Sequence, residues 1–520
     1  MHSLRAFNKP TGFCLHLFYL ISYNYPNKTL YIPMALNPVL KKYFEEPVNA
    51  GILNGHNCRG RDSSLGTGAV VNFYAFIEDG IIKGISFRAL GCSHTIAASS
   101  YITVIGRGMD IFTAAALSDT HIERTLGKFP DDKKDSLRVA LGALYSLISS
   151  YIQENLKQKD LTEHENTVAV AMSGGLDSAI AARILKEEGY DVLGITMKII
   201  PDEDIPREKR VTSWMSSDIC SARMVCGILG IPHFTIDIAD KFGKKIIEPF
   251  CREYLRGRTP NPCIECNKII KFGTLLDAGR NLGARYLATG HYCLVGKNPE
   301  TGLYMVKKGK DRLKEQSYVF WKLDQGQLSR IKTPLGIYSK EEVRKMSLDL
   351  LPFLESRDES QDICFIASRG YHEFLKKRIG ETGKGKILDS SGSHIGDHRG
   401  FPYYTIGQRK GLGVSRARPL YVTRILPQEN ILIAGEKEEL YQDTASLENV
   451  NFISGRPPAA RFDARVKIRY NSPPLKAGVI MKKNNRAQVL FCRPASSVTP
   501  GQSAVFYEGD ILLGGGVISG

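Results

Sequence analysis

Apolar and aromatic residues dominate Asn72–Ile77 and recur through Ile81–Leu90, on either side of the polar turn Glu78-Asp79-Gly80. Two such runs around a short turn predict a pair of antiparallel strands. Gly91-Cys92-Ser93-His94 then turns into a small-residue run that predicts a helix over Thr95–Ile105. Helical spacing returns over Met109–Thr125 and Asp132–Asn155, and the charged stretch Lys157–Asn166 predicts a linker. From Thr167 the texture changes. Short apolar runs at Val168–Met172, Val192–Met197, His233–Asp237 and Tyr286–Thr289 alternate with helical patterns over Ala179–Glu188, Ser217–Leu229 and Ile269–Leu282. Strands that alternate with helices predict an α/β fold with a parallel sheet, whose sites lie outside the carboxyl ends of the strands. After about Arg369, Gly, Pro and short β-type segments dominate: Tyr421–Leu426, Ile431–Ala434, Ala464–Arg469, Ala487–Phe491 and Ser503–Tyr507. They predict small β-rich modules that end in a barrel. The expected division is an unstructured extension over residues 1–33, an α+β domain over 34–155, a linker over 156–166, a catalytic α/β domain over 167–370, a central domain over 371–440 and a barrel over 441–520.

Composition narrows the class. The 520 residues are 42% hydrophobic and 24% charged, as expected of a soluble chain of several domains. Seventy Lys and Arg stand against 54 Asp and Glu, a surplus that points to a polyanion such as nucleic acid. Eleven cysteines are too sparse for a disulfide scaffold and odd in number, which implies a reducing, cytoplasmic setting. Phe13–Ile21 is apolar behind Arg5 and Lys9, but it falls short of the roughly 20 residues that span a bilayer. No other stretch reaches that length, so no membrane partner is expected. Met34 opens an ordinary domain start and is the expected initiator.

Ser173-Gly174-Gly175-Leu176-Asp177-Ser178 joins a predicted strand to a predicted helix. Two glycines let backbone N–H groups approach phosphate oxygens, and the helix turns its positive end toward the anion. Ser173 and Ser178 offer hydroxyl donors; Asp177 suits Mg²⁺ or loop ordering. A plain β–α turn would use similar residues, but the strand–loop–helix context favours a nucleotide. The GxxxxGK[ST] spacing is absent, so this is not a Walker loop. The loop resembles the pyrophosphate loop of the ATP pyrophosphatase superfamily, which splits ATP to AMP and pyrophosphate.

Arg258-Thr259-Pro260-Asn261-Pro262-Cys263-Ile264-Glu265-Cys266-Asn267-Lys268 places a CxxC pair in a loop stiffened by two prolines. Ser360-Gln361-Asp362-Ile363-Cys364-Phe365-Ile366 supplies a distant third cysteine. Further motifs are Ala288-Thr289-Gly290-His291-Tyr292, Glu315-Gln316-Ser317-Tyr318, Tyr404-Thr405-Ile406-Gly407-Gln408-Arg409-Lys410-Gly411-Leu412 and Leu512-Leu513-Gly514-Gly515-Gly516-Val517-Ile518. Over roughly residues 166–520 this ordered set resembles the bacterial tRNA-uridine 2-sulfurtransferase (tRNA 2-thiouridylase) family. The resemblance implies ATP contacts at Ala171, Met172, Ser173, Gly174, Gly175, Leu176, Asp177, Ser178, Met197 and Gly290. It implies Cys266 as nucleophile and Cys364 as persulfide carrier, with a transient disulfide between them. Asn261, Pro262 and Cys263 match the segment that meets the target base. Lys314, Glu315, Gln316, His291, Arg469, Tyr470 and Gln502 match tRNA-contacting positions. The implied substrate is the wobble uridine of tRNAs for Lys, Glu and Gln.

Many members of that family carry Asp where this chain has Cys263. The change weakens an acid/base role there and produces three cysteines, Cys263, Cys266 and Cys364. Such a trio suits a [4Fe–4S] cluster with one free iron, or persulfide relay without metal. Zinc fits less well, because no second CxxC or paired His completes a site. The implied sulfur source is a cysteine desulfurase, a sulfur carrier protein or free sulfide.

Residues 34–150 resemble the NifU/IscU iron–sulfur scaffold family through the strand pair, Ala89-Leu90-Gly91-Cys92 and Ala97-Ala98-Ser99-Ser100. Cys92 matches one scaffold ligand. The first ligand position falls near Gly66 and the third near Asp132–Ser136, neither with a cysteine. Cys58, Cys92 and His94 could form a modified site; a degenerate scaffold used for docking or sulfur delivery is the expectation. Cys220, Cys226, Cys251, Cys293 and Cys492 have no suggestive spacing and are expected to be structural. Two other functions compete. An amidating ligase of the same superfamily would need no cysteines, and an assembly or tRNA-binding adaptor would not need an intact SGGLDS.

Overall fold

The structure, a computed structural model, describes residues 37–64, 67–115, 117–154, 163–201, 210–212, 215–348, 363–366, 370–414, 416 and 418–519. The expected extension over residues 1–33 and most of the expected linker lie outside them.

The N-terminal module begins with α1 (Pro38–Glu45), followed by an antiparallel sheet of β1 (Cys58–Ser63), β2 (Val70–Glu78) and β3 (Ile81–Leu90). The predicted strand pair and its turn are present. β1 went unpredicted, because its inward positions are Cys58, Gly60 and Asp62 rather than an apolar series. Helices α2 (Ser93–Gly106), α3 (Ile111–Ala115), α4 (Asp119–Leu126) and α5 (Lys134–Glu154) complete the module. The single helix expected over Met109–Thr125 is broken: Ser118 is extended (φ −134°, ψ 173°) and stands at the N-cap of α4, a position that suits serine.

The second unit is a five-stranded parallel sheet. Its strands are β4 (His164–Ala171), β5 (Asp191–Lys198), β6 (His233–Asp237), β7 (Ala284–Ala288) and, after a hairpin described below, β10 (Ile331–Lys332). The order across the sheet is β10-β7-β4-β5-β6, with every pairing parallel. Val168, Ala169 and Val170 of the central β4 are all fully buried, as a strand covered on both faces requires. The strand starts at His164, so the last polar residues of the expected linker are strand instead. His164 pairs with Ala284, and this tertiary partner overrides the local polarity. Helices α6 (Leu176–Glu187) and α7 (Ser217–Leu229) flank the sheet, and α8 (Glu248–Leu255) leads toward the cysteine loop. Strand order reverses between β4 and β7, which opens a crevice at their carboxyl ends.

The hairpin of β8 (Cys293–Lys297) and β9 (Tyr304–Lys308) leaves this domain and joins the C-terminal barrel, where Val306 pairs with Leu512. The central domain holds β11 (Gly385–Asp389), β12 (His394–His398), β13 (Tyr421–Leu426) and β14 (Ile431–Gly435), in the order β12-β11-β14-β13. The barrel closes six strands: β15 (Tyr441–Phe452), β16 (Arg461–Lys467), β17 (Leu475–Lys482), β18 (Arg486–Ser496), β19 (Ser503–Glu508) and β20 (Ile511–Ile518). β20 pairs with both β15 and β19, which removes the exposed edge. Among the described residues, no helix is long and apolar enough to cross a membrane.

Candidate active site

The Ser173–Ser178 loop sits at the reversal point, between β4 and α6. Gly174 has φ +74°, and a side chain there would collide with the Asp218 carbonyl on α7. Ser173 N–H donates to Ser178 Oγ at 3.2 Å, and Ser178 Oγ donates to the Gly175 carbonyl at 3.0 Å. The loop is therefore shaped by its own hydroxyls, with Gly175 as the N-cap of α6. Gly290, just after β7, is pressed against it: a Cβ there would lie 2.8 Å from the Asp177 carbonyl carbon and 3.0 Å from Ser178 N. Ala171 and Met172 end β4, and Met197 lies near the end of the adjacent β5. The expected nucleotide residues thus gather at one end of the sheet.

Asp177 has specific partners. Its Oδ1 accepts from Lys340 Nζ at 2.7 Å and from the Tyr292 hydroxyl at 2.8 Å. Lys340 is buried at the start of α9 (Lys340–Ser347), whose N-cap Ser339 forms a capping box with Glu342. Of the two roles expected for Asp177, loop ordering is the one these contacts serve. Neither Lys340 nor Tyr292 was singled out from the sequence; Ser-Lys-Glu-Glu at 339–342 is a capping signature, which does not reveal a partner 163 residues away.

The cysteine loop leads into a helix that starts as Pro262–Glu265, continues with π-helical turns over Cys266–Leu275 and ends as Leu276–Arg280. The helix predicted over Ile269–Leu282 therefore begins earlier. Asn261 caps it by accepting from Cys263 N–H at 3.1 Å, and Pro262 supplies the first helical residue. The π turns re-aim the side chains beyond Cys266, and Gln327 donates to the carbonyls of Lys268 and Phe272 at 2.9 and 2.8 Å. Cys364 is brought to the same region by its neighbour: Phe365 is buried against the rings of Phe242, Phe250 and Phe374.

Cys266 is buried, while Cys263 and Cys364 are solvent-accessible in a recess with dense protein around it. Burial raises all three thiols, Cys266 to about 12, and the charges of Cys364 and Cys263 add to the rise at Cys266. Lys271, one π turn on, opposes the rise at each of them. Lys271 Nζ lies 3.5 Å from His291 Nε2, and His291 Nδ1 lies 2.7 Å from Thr289 Oγ1. Burial and the Lys271 charge hold His291 well below its ordinary value, so the ring is neutral. The three cysteines share one region and one cation. Yet among the described residues no three His, Cys, Asp or Glu side chains converge as a metal site does. As placed, Cys263, Cys266 and Cys364 do not form the three-ligand group that the expected [4Fe–4S] cluster needs.

The expected tRNA contacts occupy interdomain seams. Tyr292 N–H donates to Gln316 Oε1 and Gln316 N–H to the Tyr292 carbonyl, each at 3.0 Å. Glu315 is buried, and its carbonyl accepts from the Tyr470 hydroxyl at 3.0 Å; Lys314 beside it is half-buried. Arg469 donates to the Ile406 and Ser497 carbonyls at 3.0 Å, tying the barrel to the Tyr404–Leu412 loop. Gln502 donates to the Thr259 carbonyl at 2.8 Å, and Thr259 N–H to the Pro500 carbonyl at 2.8 Å. These side chains fix the cysteine loop and the Arg409-Lys410 loop relative to each other.

The comparisons with known proteins agree with this layout. Residues 166–368 match the tRNA methyl transferase HUP domain, 372–436 the tRNA methyl transferase PRC-barrel domain and 442–518 the aminomethyltransferase beta-barrel domain. A tRNA-specific 2-thiouridylase of Carboxydothermus hydrogenoformans is 43% identical over 353 residues, 68% of this chain and 97% of that protein. A tRNA-specific 2-thiouridylase of Clostridium acetobutylicum is 40% identical over 352 residues, 68% of this chain and 99% of that protein. The chain belongs to the tRNA-specific 2-thiouridylase family. To the thiouridylase domains it adds residues 36–158, which match the NifU-like N terminal domain. A NifU-like protein (N-terminal) from Brucella abortus is similar at 17% identity, covering 24% of this chain and 95% of that chain, with a TM-score of 0.20.

The added module of this thiouridylase has its own thiol site. Cys92 is the N-cap residue of α2, and its Sγ lies 3.2 Å from Ser136 Oγ and 3.6 Å from Thr95 Oγ1. Burial opposes ionisation, but hydrogen bonds from His94, Ser136 and Thr95 outweigh it and bring Cys92 down to about 5. Ser136, in the region of the third scaffold ligand, thus supplies a hydroxyl to the thiol. Cys58 does not join it: it is turned into the core, and burial with the Glu154 charge pushes its thiol up to about 12. The modified site expected from Cys58, Cys92 and His94 therefore does not assemble among the described residues. Burial also raises Cys226, Cys251 and Cys293, as inert core thiols require.

Proposed function

We propose that the chain replaces the C2 oxygen of the wobble uridine of tRNAs for Lys, Glu and Gln with sulfur, at the expense of ATP. The observation that carries this reading is the meeting of the SGGLDS crevice with a three-cysteine recess at one end of the parallel sheet, in a member of the thiouridylase family. ATP enters with Mg²⁺ as its counter-ion. The loop N–H groups and the α6 terminus take the pyrophosphate end, while Lys340 and Tyr292 hold Asp177 in place. A uridine carbonyl is a poor electrophile with a poor leaving group. Transfer of AMP to O2 makes that oxygen a good one, with pyrophosphate released.

The sulfur then arrives as a persulfide on Cys364. Its terminal sulfur attacks C2, AMP leaves with the oxygen, and the base is joined to Cys364 through a disulfide. Cys266 attacks the Cys364 sulfur, forms the Cys266–Cys364 disulfide and frees 2-thiouridine; an external dithiol reduces the pair for the next turn. The high resting value of Cys266 makes Lys271 the cation that favours its thiolate. Cys92 is the entry thiol: its thiolate takes the outer sulfur of a persulfide on a cysteine desulfurase or on a carrier protein, whose own thiol leaves, and the Cys92 persulfide passes that sulfur on to Cys364 in the same way. The tRNA lies along the central domain and barrel: residues 371–520 hold 22 Lys and Arg against 13 Asp and Glu, whereas residues 37–154 are balanced at 12 each.

The test is incubation of the full-length protein with ATP, Mg²⁺, tRNA and a persulfide source, a cysteine desulfurase with free cysteine and a dithiol, followed by analysis for 2-thiouridine and AMP. Formation of both is expected; AMP without thionucleoside would favour a ligase, and neither product would favour an adaptor. Iron and sulfide analysis after anaerobic purification separates persulfide relay from cluster chemistry. Full activity in iron-free protein is the expected outcome.

A further inference from the structure

The N-terminal module is docked on the edge of the catalytic sheet, where Tyr145 of α5 packs on Phe234 of β6 with ring centroids 5.3 Å apart. One contact of this seam leads to the nucleotide loop. Asp62, on the inner side of β1, is fully buried, and its carboxylate pairs with Arg223 of α7. Gly142 of α5 leaves the space the pair occupies, since a methyl group there would be driven into both the carboxylate and the guanidinium. The same α7 carries the groups that face the loop. A Cβ on Gly174 would lie 3.1 Å from Ser221 Cβ and would collide with the Asp218 carbonyl. Arg223 stands five residues beyond Asp218 on α7, about 7.5 Å along a stiff rod.

The Asp62 carboxylate is buried while the Arg223 side chain is 24% exposed, so loss of the carboxylate lets the guanidinium move toward water. Movement of α7 cannot spare the loop, because the contact between its first turn and Gly174 is already closed, and packed interiors transmit displacement. We propose that Asp62 is a positioning residue for the nucleotide loop, acting through Arg223 and α7, so that the N-terminal module sets the ATP affinity of the catalytic domain. This rests on the reading of SGGLDS as the ATP loop.

The test uses the full-length chain with Asp62→Asn, Gly142→Ala and, as control, Ile102→Ala, a core truncation in α2 away from α7. Asp62→Asn and Gly142→Ala are expected to raise KM for ATP about tenfold, equal to about 1.4 kcal/mol. Both should leave KM for tRNA and kcat within about twofold. Ile102→Ala should lower Tm and leave KM for ATP in place. A Tm for the two seam variants no lower than that of Ile102→Ala guards against simple misfolding. An unchanged KM for ATP in both seam variants, or an equal rise in the control, overturns the proposal while the ATP reading stands. A wild-type chain that neither binds nor cleaves ATP overturns both.

Discussion

Cys92 caps the start of a helix and Cys266 stands one turn inside another, and their thiols are driven in opposite directions. Around Cys92, hydrogen bonds from His94, Ser136 and Thr95 overcome burial and bring the thiol to about 5. Around Cys266, burial and two neighbouring thiols push it to about 12, against Lys271 alone among the named causes. The lesson is that a thiol's immediate partners set its reactivity: His94 and Thr95 from the turn that Cys92 caps, with Ser136 from α5, outweigh burial at Cys92, whereas at Cys266 burial wins. The N-terminal thiol is ionised at neutral pH. The thiols of Cys263, Cys266 and Cys364 rest protonated, which slows their oxidation.

The largest expected effect separates the two sites by activity. Cys266→Ser should abolish 2-thiouridine formation, a loss of more than about three orders of magnitude. Cys92→Ser should leave the purified enzyme unchanged with a small-molecule persulfide that charges Cys364 directly and lower thiolation in cells. Mass spectrometry of tRNA nucleosides reads both, and equal loss in the purified assay would erase the division of labour.

Next comes reactivity. Iodoacetamide at pH 7 should label Cys92 at least about tenfold faster than Cys266, because the thiolate is the nucleophile. The sign follows from the direction of each shift. A thiol lowered to about 5 is thiolate from just above pH 5 upward, whereas one raised to about 12 stays protonated until strongly alkaline pH. Peptide mapping of the labelled protein would break the comparison if Cys266 reacted first.

Removing Lys271 should deepen the contrast. Lys271→Met takes away the cation beside the trio and should slow thiolation about tenfold, with the thiol titrations of Cys263 and Cys364 moved further upward. An unaltered pH–rate profile would count against its role. The smallest effect is expected at Ser136→Ala, which removes one of the hydrogen bonds on Cys92. The midpoint of its labelling profile should rise by about one pH unit.

The strand pair around Glu78-Asp79-Gly80 and the apolar runs of the parallel sheet were legible, because apolar runs and the turn between them are written in neighbouring residues. β1 was not legible: its inward residues, Cys58, Gly60 and Asp62, are buried for reasons that lie on α5 and α7. The SGGLDS loop and the CxxC pair could be read from spacing, since phosphate cradles and thiol pairs need particular residues at short intervals. Lys340 and Lys271 could not. A lysine carries no local mark of whether it faces water, a carboxylate or three thiols.

The sequence by itself therefore determined the parallel sheet, the β-rich end, the strand–SGGLDS–helix junction and the CxxC pair. All of these follow from periodicity and from chemistry within a few residues. Only the tertiary structure decided that Asp177 is held by Lys340 and Tyr292, that Cys58 is turned away from Cys92, and that the two thiol sites differ in acidity. Those outcomes depend on desolvation and on partners tens to hundreds of residues distant, which chain order does not encode.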